Sequence, residues 1–234
     1  MKLVIFDLDD TLVDFASTRK VAHCRLAEVL QQEGMDSAAF LAACTQVDRP
    51  LFTLFEQGQL TRAEYRRRRF SDPFGLLGLA PRDDLVTQLN KVFMDCVNDS
   101  PLLYDDVWPV LGRLHDAGVR TAILTNGPSD GQRRKLKATG LDAAVDHIVI
   151  GEEIGFSKPH PAAFRSVVDR FPFDDSQALM VGDSPALDYD GALAAGLNAL
   201  LLDREGVQEQ AQRRIIRSLL DLPADGRASG GRSR

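Results

Sequence analysis

The sequence predicts an α/β fold: a parallel sheet with helices on both faces, interrupted after its first strand by a long all-helical insertion. Three observations predict it. The apolar run Lys2-Leu3-Val4-Ile5-Phe6 ends abruptly at Asp7, as a short strand buried on both faces does. Residues 17–98 carry apolar side chains at helical spacing with no convincing strand among them. After Pro101, short apolar runs alternate with amphipathic segments, which is the pattern of parallel strands joined by crossover helices.

The elements follow in order. In the insertion, Val21, Leu26, Val29 and Leu30 mark one helical face, and further helices are expected over 37–55, 61–70 and 82–97. Gly34, Gly58, Pro73, Gly75 and Gly78 are the expected breakers between them. Beyond the insertion, a helix over 107–117 closes at Gly118, and a strand over 119–124 runs into Thr125-Asn126-Gly127. A helix over 129–139 closes at Gly140, and 147–150 forms a brief strand before Gly151. Pro159 opens a helix reaching residue 170, and Gly182-Asp183 closes a strand over 178–181. Residues 185–195 form a helix ending at Gly196, and 197–202 a last strand. A final helix is expected over 205–220, and the Gly-containing polar stretch 223–234 reads as a loose tail. The expected organisation is a discontinuous core (1–16 and 99–220), a helical module (17–98) and a flexible tail (221–234).

The 234 residues are 44% hydrophobic and 26% charged, values of a folded globular chain. With 28 Lys+Arg against 34 Asp+Glu the net charge is −6, which argues against a general nucleic-acid binder. Residues 17–98 hold 11 of those bases and 10 of the acids, so the acidity belongs to the sheet domain and tail. No stretch reaches the roughly 20 apolar residues of a membrane span. Asp7 arrives too early for a signal peptide, and a cytoplasmic protein is expected. Cys24, Cys44 and Cys96 are odd in number and lack a CxxC spacing, so they read as buried free thiols. His23, His115 and His147 are scattered, and His160 reads as an early-helix residue.

In a parallel α/β sheet the ligand crevice lies outside the carboxyl ends of the strands. Those ends offer Asp7 and Asp9, then Thr125 and Asn126, then Asp183, with Lys158 on a loop entering a helix. Several carboxylates at one site repel one another unless a cation is present, and oxygen donors without histidine favour a hard ion such as Mg²⁺. A lysine beside them supplies a point charge for a phosphate.

These residues fall into four motifs in order: Asp7-Leu8-Asp9-Asp10-Thr11, Leu124-Thr125-Asn126, Ser157-Lys158-Pro159, and Gly182-Asp183-Ser184 followed by Asp188. Together they resemble the haloacid dehalogenase (HAD) superfamily of hydrolases, over residues 2–202. The resemblance implies a Rossmann-like core, and the insertion is similar to the α-helical cap of the family's first subfamily. It implies that Asp7 is a nucleophile forming an aspartyl-phosphate, and that Asp9 protonates the leaving oxygen and then activates water. It further implies that Thr125 and the Asn126 amide bind the phosphoryl oxygens, and that Lys158 neutralises charge on nucleophile and phosphate. Asp7, the Asp9 carbonyl and Asp183 would hold Mg²⁺, with Asp188 orienting Lys158 or a water. Thr11 reads as a structural support of the loop.

The implied activity is a Mg²⁺-dependent phosphatase acting on a small phosphorylated metabolite. The stretch from Asn126 to Leu136 resembles the nucleotidase and acylneuraminate-phosphatase branch, so a nucleoside 5′-monophosphatase is an alternative. A phosphomutase of the same fold is another, and a metal-dependent binding or regulatory protein is the non-enzymatic one. Dehalogenation is disfavoured because Asp9 is present to protonate an oxygen leaving group. In the insertion, Arg66, Arg67, Arg68 and Arg69 form a basic run read mainly as solvated charge; Arg67 and Arg69 are its candidates for a substrate anion.

Overall fold

The computed structural model describes residues 1–207 and 213–223, and the expected tail lies outside them from residue 224. Six strands form one parallel sheet: β1 (Leu3–Phe6), β2 (Arg120–Thr125), β3 (His147–Ile150), β4 (Ala178–Gly182), β5 (Asn198–Leu202) and β6 (Ile215–Ile216). Their spatial order is β3-β2-β1-β4-β5-β6, with β1 paired to β2 on one side and to β4 on the other. The order reverses at β1, so its carboxyl end opens at the position where such sheets hold ligands.

The helices are α1 (Phe15–Gln32), α2 (Ser37–Glu56), α3 (Arg62–Leu76), α4 (Asp83–Asp99), α5 (Val107–Asp116), α6 (Ser129–Thr139), α7 (Leu141–Ala144), α8 (Gly151–Ile154), α9 (Pro161–Val168) and α10 (Gly191–Ala194). The chain divides into two compact units, one of Met1–Phe15 with the chain from Pro101 onward, the other Ala16–Ser100. In the first unit each strand alternates its side chains between two cores. Val4 and Phe6 join Val107, Val110, Leu114 and Leu136 on one face; Leu3 and Ile5 join Phe164, Val167 and Ala192 on the other. None of the helices among the described residues is long and apolar enough to cross a membrane.

In the second unit, α3 begins with a capping box in which Thr61 and Glu64 exchange hydrogen bonds. Gly34 and Gly58 take positive φ directly beyond α1 and α2, ending those helices as the breaker positions predict. Pro73 and Gly75 do not break α3. The helix runs through both to Leu76 because Pro73 and Phe74 are buried, and Phe74 meets Phe40 of α2 edge-to-face at 4.9 Å. Packing there outweighs local propensity.

Two other expectations are corrected. The helix expected over 185–195 is a wide turn of π type at Pro185–Asp190, followed by α10. Of the helix expected over 205–220, residues 208–212 lie outside the described residues, and the rest is not helical but holds β6 and a 3-10 turn, Leu219–Asp221. Non-helical backbone is satisfied here by long-range partners. Ile215 and Ile216 pair with Leu201 and Leu202. Arg113 donates to the carbonyls of Leu219, Leu220 and Leu222, while Asp106 accepts from Ser218 Oγ and the Leu219 amide.

Candidate active site

The end of β1 places Asp7 in the middle of the sheet edge, its amide donating to the Val181 carbonyl of β4 at 3.0 Å. Lys158 enters from the loop before α9 and donates to Asp7 Oδ1 at 2.5 Å and to Asp188 Oδ1 at 2.7 Å. Its side chain is only 2% exposed, so the ammonium lies in a medium where it is solvated by these carboxylates instead of water. Asp188 Oδ2 accepts the Ser184 amide at 3.0 Å. Asp183 accepts from Thr11 Oγ1 at 3.3 Å, which gives the first motif's threonine the supporting role expected of it.

Asn126 does something that sequence did not suggest. Its side-chain amide clamps the main chain of Lys158 at two points, donating to the Lys158 carbonyl and accepting its N–H, each at 2.8 Å. The β2 terminus therefore fixes where the Lys158 side chain begins. Thr125, at the end of β2, is 2% exposed. Asp9, by contrast, turns its carboxylate toward α6, where it meets Lys135 and Gln132.

Carboxylate oxygens of Asp7, Asp183 and Asp188 lie within 4.8 Å of one another. Burial, opposed by Lys158 and reinforced by Asp188 and Asp183, raises the Asp7 pKa well above the usual carboxylate range. Burial, with Asp188 and Asp10, pushes Asp183 up to about 6. Burial works against the charged form of Lys158, but Asp7 and Asp188 outweigh it and raise its pKa above that of an ordinary lysine. Three carboxylates thus face one ammonium, and the excess negative charge calls for a proton or a cation. An all-oxygen, anionic donor set of this size fits a hard divalent ion such as Mg²⁺.

Gly182, the last residue of β4, admits the Asp188 side chain: a methyl group in its place would lie 2.3 Å from that carboxylate. Gly182→Ala is therefore expected to displace Asp188 from Lys158 and to cost about 1–3 kcal/mol, measured as a lower Tm. An unchanged Tm would show that Asp188 yields freely.

Arg67 and Arg69 are not part of this cluster. Arg67 makes an exposed ion pair with Asp83 at 2.8 Å. Arg69 is buried inside the helical unit, where it donates to Asn90 Oδ1 at 2.9 Å and lies 4.3 Å from the Phe93 ring centroid. Burial lowers its pKa, and in this position it ties α3 to α4.

A family model described as haloacid dehalogenase-like hydrolase matches residues 1–196. The chain belongs to the haloacid dehalogenase-like hydrolases. Among relatives of this HAD-like chain, the HAD-hydrolase YfnB of Bacillus subtilis is 29% identical over 94% of the chain and 93% of its own length. A crystal structure of YfnB bound to magnesium superposes with a TM-score of 0.77 at 26% identity, covering 94% of this chain and 96% of that one. The N-acylneuraminate-9-phosphatase of Mus musculus is 27% identical (96% of this chain, 93% of that one). The pyrimidine 5′-nucleotidase YjjG of Escherichia coli is 28% identical (94% and 95%).

Proposed function

We propose that the protein is a Mg²⁺-dependent phosphatase that hydrolyses a small phosphorylated metabolite through an aspartyl-phosphate on Asp7. The observation that carries this reading is the Asp7–Lys158–Asp188 arrangement at the β1 terminus, with a second carboxylate, Asp9, two residues on. The relatives named as phosphatase and nucleotidase agree with it.

In this reading a carboxylate oxygen of Asp7 attacks phosphorus, an O–P bond forms, and the bond to the leaving oxygen breaks as Asp9 gives that oxygen a proton. Asp9 then takes a proton from water, whose oxygen attacks phosphorus and releases Asp7. Thr125 and the Asn126 amide bind the phosphoryl oxygens, and Lys158 fixes the nucleophile while offsetting the charge that spreads in transfer. Mg²⁺, held by Asp7, Asp183 and the Asp9 carbonyl beside Asp188, would neutralise charge on the phosphoryl group. The helical unit is read as the cap of this subfamily, with the exposed Arg67 its candidate substrate determinant; Arg69, buried and bonded to Asn90, is withdrawn from that role. The three cysteines are free, Cys44 and Cys96 buried as expected but Cys24 exposed on α1, and free thiols accord with a reducing, cytoplasmic setting.

A nucleoside 5′-monophosphatase is the second reading, favoured by the match to YjjG. Phosphate release from a panel of sugar phosphates, phosphorylated acids and nucleoside monophosphates, with Mg²⁺ and with a chelator, tests both. Turnover that requires Mg²⁺ is expected, and the ranking of kcat/KM chooses between them. A folded protein that releases no phosphate from any panel member would overturn the function.

A further inference from the structure

The buried face of α6 carries two polar side chains where packing alone asks for apolar ones. Gln132 is 1% exposed and Lys135 is 5% exposed, and at a spacing of three residues they share one face of the helix. Both point at Asp9. Lys135 Nζ donates to Asp9 Oδ1 at 2.5 Å and lies 4.9 Å from the Phe15 ring centroid. The Gln132 side-chain nitrogen donates to Asp9 Oδ2 at 2.9 Å and to Thr125 Oγ1 at 2.7 Å. The two hydrogens of one amide group are thus divided between the two residues that the phosphatase reading places on the leaving oxygen and on the phosphoryl group.

The consequences follow from hydrogen-bond capacity. Thr125 Oγ1 accepts from Gln132 and also from the Gly127 amide at 3.4 Å, so the hydroxyl has its own hydrogen left to donate to a third partner. Each oxygen of Asp9 has one lone-pair direction taken by α6 and another left over. Gly127 belongs to the same device: a methyl group there would lie 2.2 Å from the Gln132 side-chain nitrogen, so any side chain at 127 would push Gln132 away.

We propose that Gln132 and Lys135 are positioning residues for phosphoryl transfer, Gln132 setting Thr125 and Asp9 in register with each other and Lys135 fixing Asp9 toward the leaving group. The inference rests on the phosphatase reading. It separates the two side chains by function: Lys135 acts through Asp9 alone, whereas Gln132 acts through Asp9 and the phosphate-binding hydroxyl.

The test compares kcat/KM for p-nitrophenyl phosphate, whose leaving group departs without a proton, with that for the best alkyl phosphate of the panel, whose leaving group needs one. Lys135→Met is expected to lose about 10–100-fold on the alkyl ester and less than about threefold on the aryl ester, since a misplacement near 1 Å carries a penalty of that order. Lys135→Arg, which keeps the charge and the donor, should restore most of the difference. Gln132→Leu and Gly127→Ala are expected to lose on both esters and to weaken inorganic phosphate binding measured by calorimetry, an affinity that Lys135→Met leaves unchanged.

Equal losses on both esters for Lys135→Met, or no loss in any variant, would overturn the proposal. So would unaltered phosphate affinity in both Gln132→Leu and Gly127→Ala. Should Lys135→Met fail to fold, Gly127→Ala and Lys135→Arg still decide it through phosphate affinity and the ester ratio. A wild type with no turnover would fell the phosphatase reading itself, and this inference with it; an active wild type with variants insensitive to the leaving group would fell this inference alone.

Discussion

Asp7→Asn is expected to abolish turnover, with kcat falling on the order of 10⁴-fold or more, while the protein stays folded and gains stability relative to wild type as pH rises. The first half follows from the proposed mechanism, in which Asp7 is the nucleophile: an amide cannot form the acyl-phosphate, and its loss would remove the whole covalent route. The second half follows from the electrostatics of the cluster. Burial, with Asp188 and Asp183 beside it, raises the Asp7 pKa in spite of Lys158. A carboxylate whose folded pKa is raised contributes its stability below its unfolded pKa, and that contribution is lost as pH rises through the folded value. The neutral isostere escapes that loss. Phosphate release and Tm measured on the same preparation check both halves. Residual activity within tenfold of wild type would remove Asp7 from the nucleophile's place, and a Tm difference that does not move in the variant's favour as pH rises would contradict the charge argument.

Much of the site could be read in sequence because a parallel sheet turns linear order into spatial order. Asp7, Thr125 and Asp183 each follow an apolar run, and the sheet brings the ends of such runs to one edge whatever lies between them. Lys158 follows no strand directly, and only its motif marked it. Local pattern could not supply the partners that side chains find across the fold. The Asn126 side chain was invisible as a clamp because its partner lies 32 residues away. Gln132 and Lys135 did carry a signal, two long polar residues one turn apart on a short helix beginning just after Thr125-Asn126-Gly127, but only the folded chain shows Asp9 opposite them. The C-terminal error has the same origin. Ile215 and Ile216 fit a helical face in isolation, and their strand state is set by Leu201 and Leu202.

Lys158→Met should be the most destabilising single change in the candidate site, at about 3–5 kcal/mol near neutral pH, because it leaves buried carboxylates without their cation. In the wild type, one Nζ satisfies both Asp7 and Asp188. The methionine chain fills similar volume, so the change isolates the charge. The pH dependence has a definite sign. Asp7 and Asp188 raise the Lys158 pKa above the ordinary lysine value, against burial, so its own contribution is constant between pH 5 and 8 and is lost only as pH rises through that higher value. The slope in that window comes from the carboxylates. In wild type, burial first and then Asp188 and Asp10 push the Asp183 pKa up to about 6, so stability should fall as pH rises from the ordinary carboxylate range through that value. Without Lys158 the carboxylate pKa values move further up, and the deficit of the variant should shrink as pH is lowered from 8 to 5. Added Mg²⁺ should recover part of the loss at pH 7.5, because a divalent ion neutralises the same oxygens, and less at pH 5, where protons compete for them. Thermal unfolding of wild type and variant across that range, with and without Mg²⁺, gives all of these quantities. A deficit that is independent of pH would mean that Lys158 stabilises through packing, and that the three carboxylates do not share the uncompensated charge assigned to them.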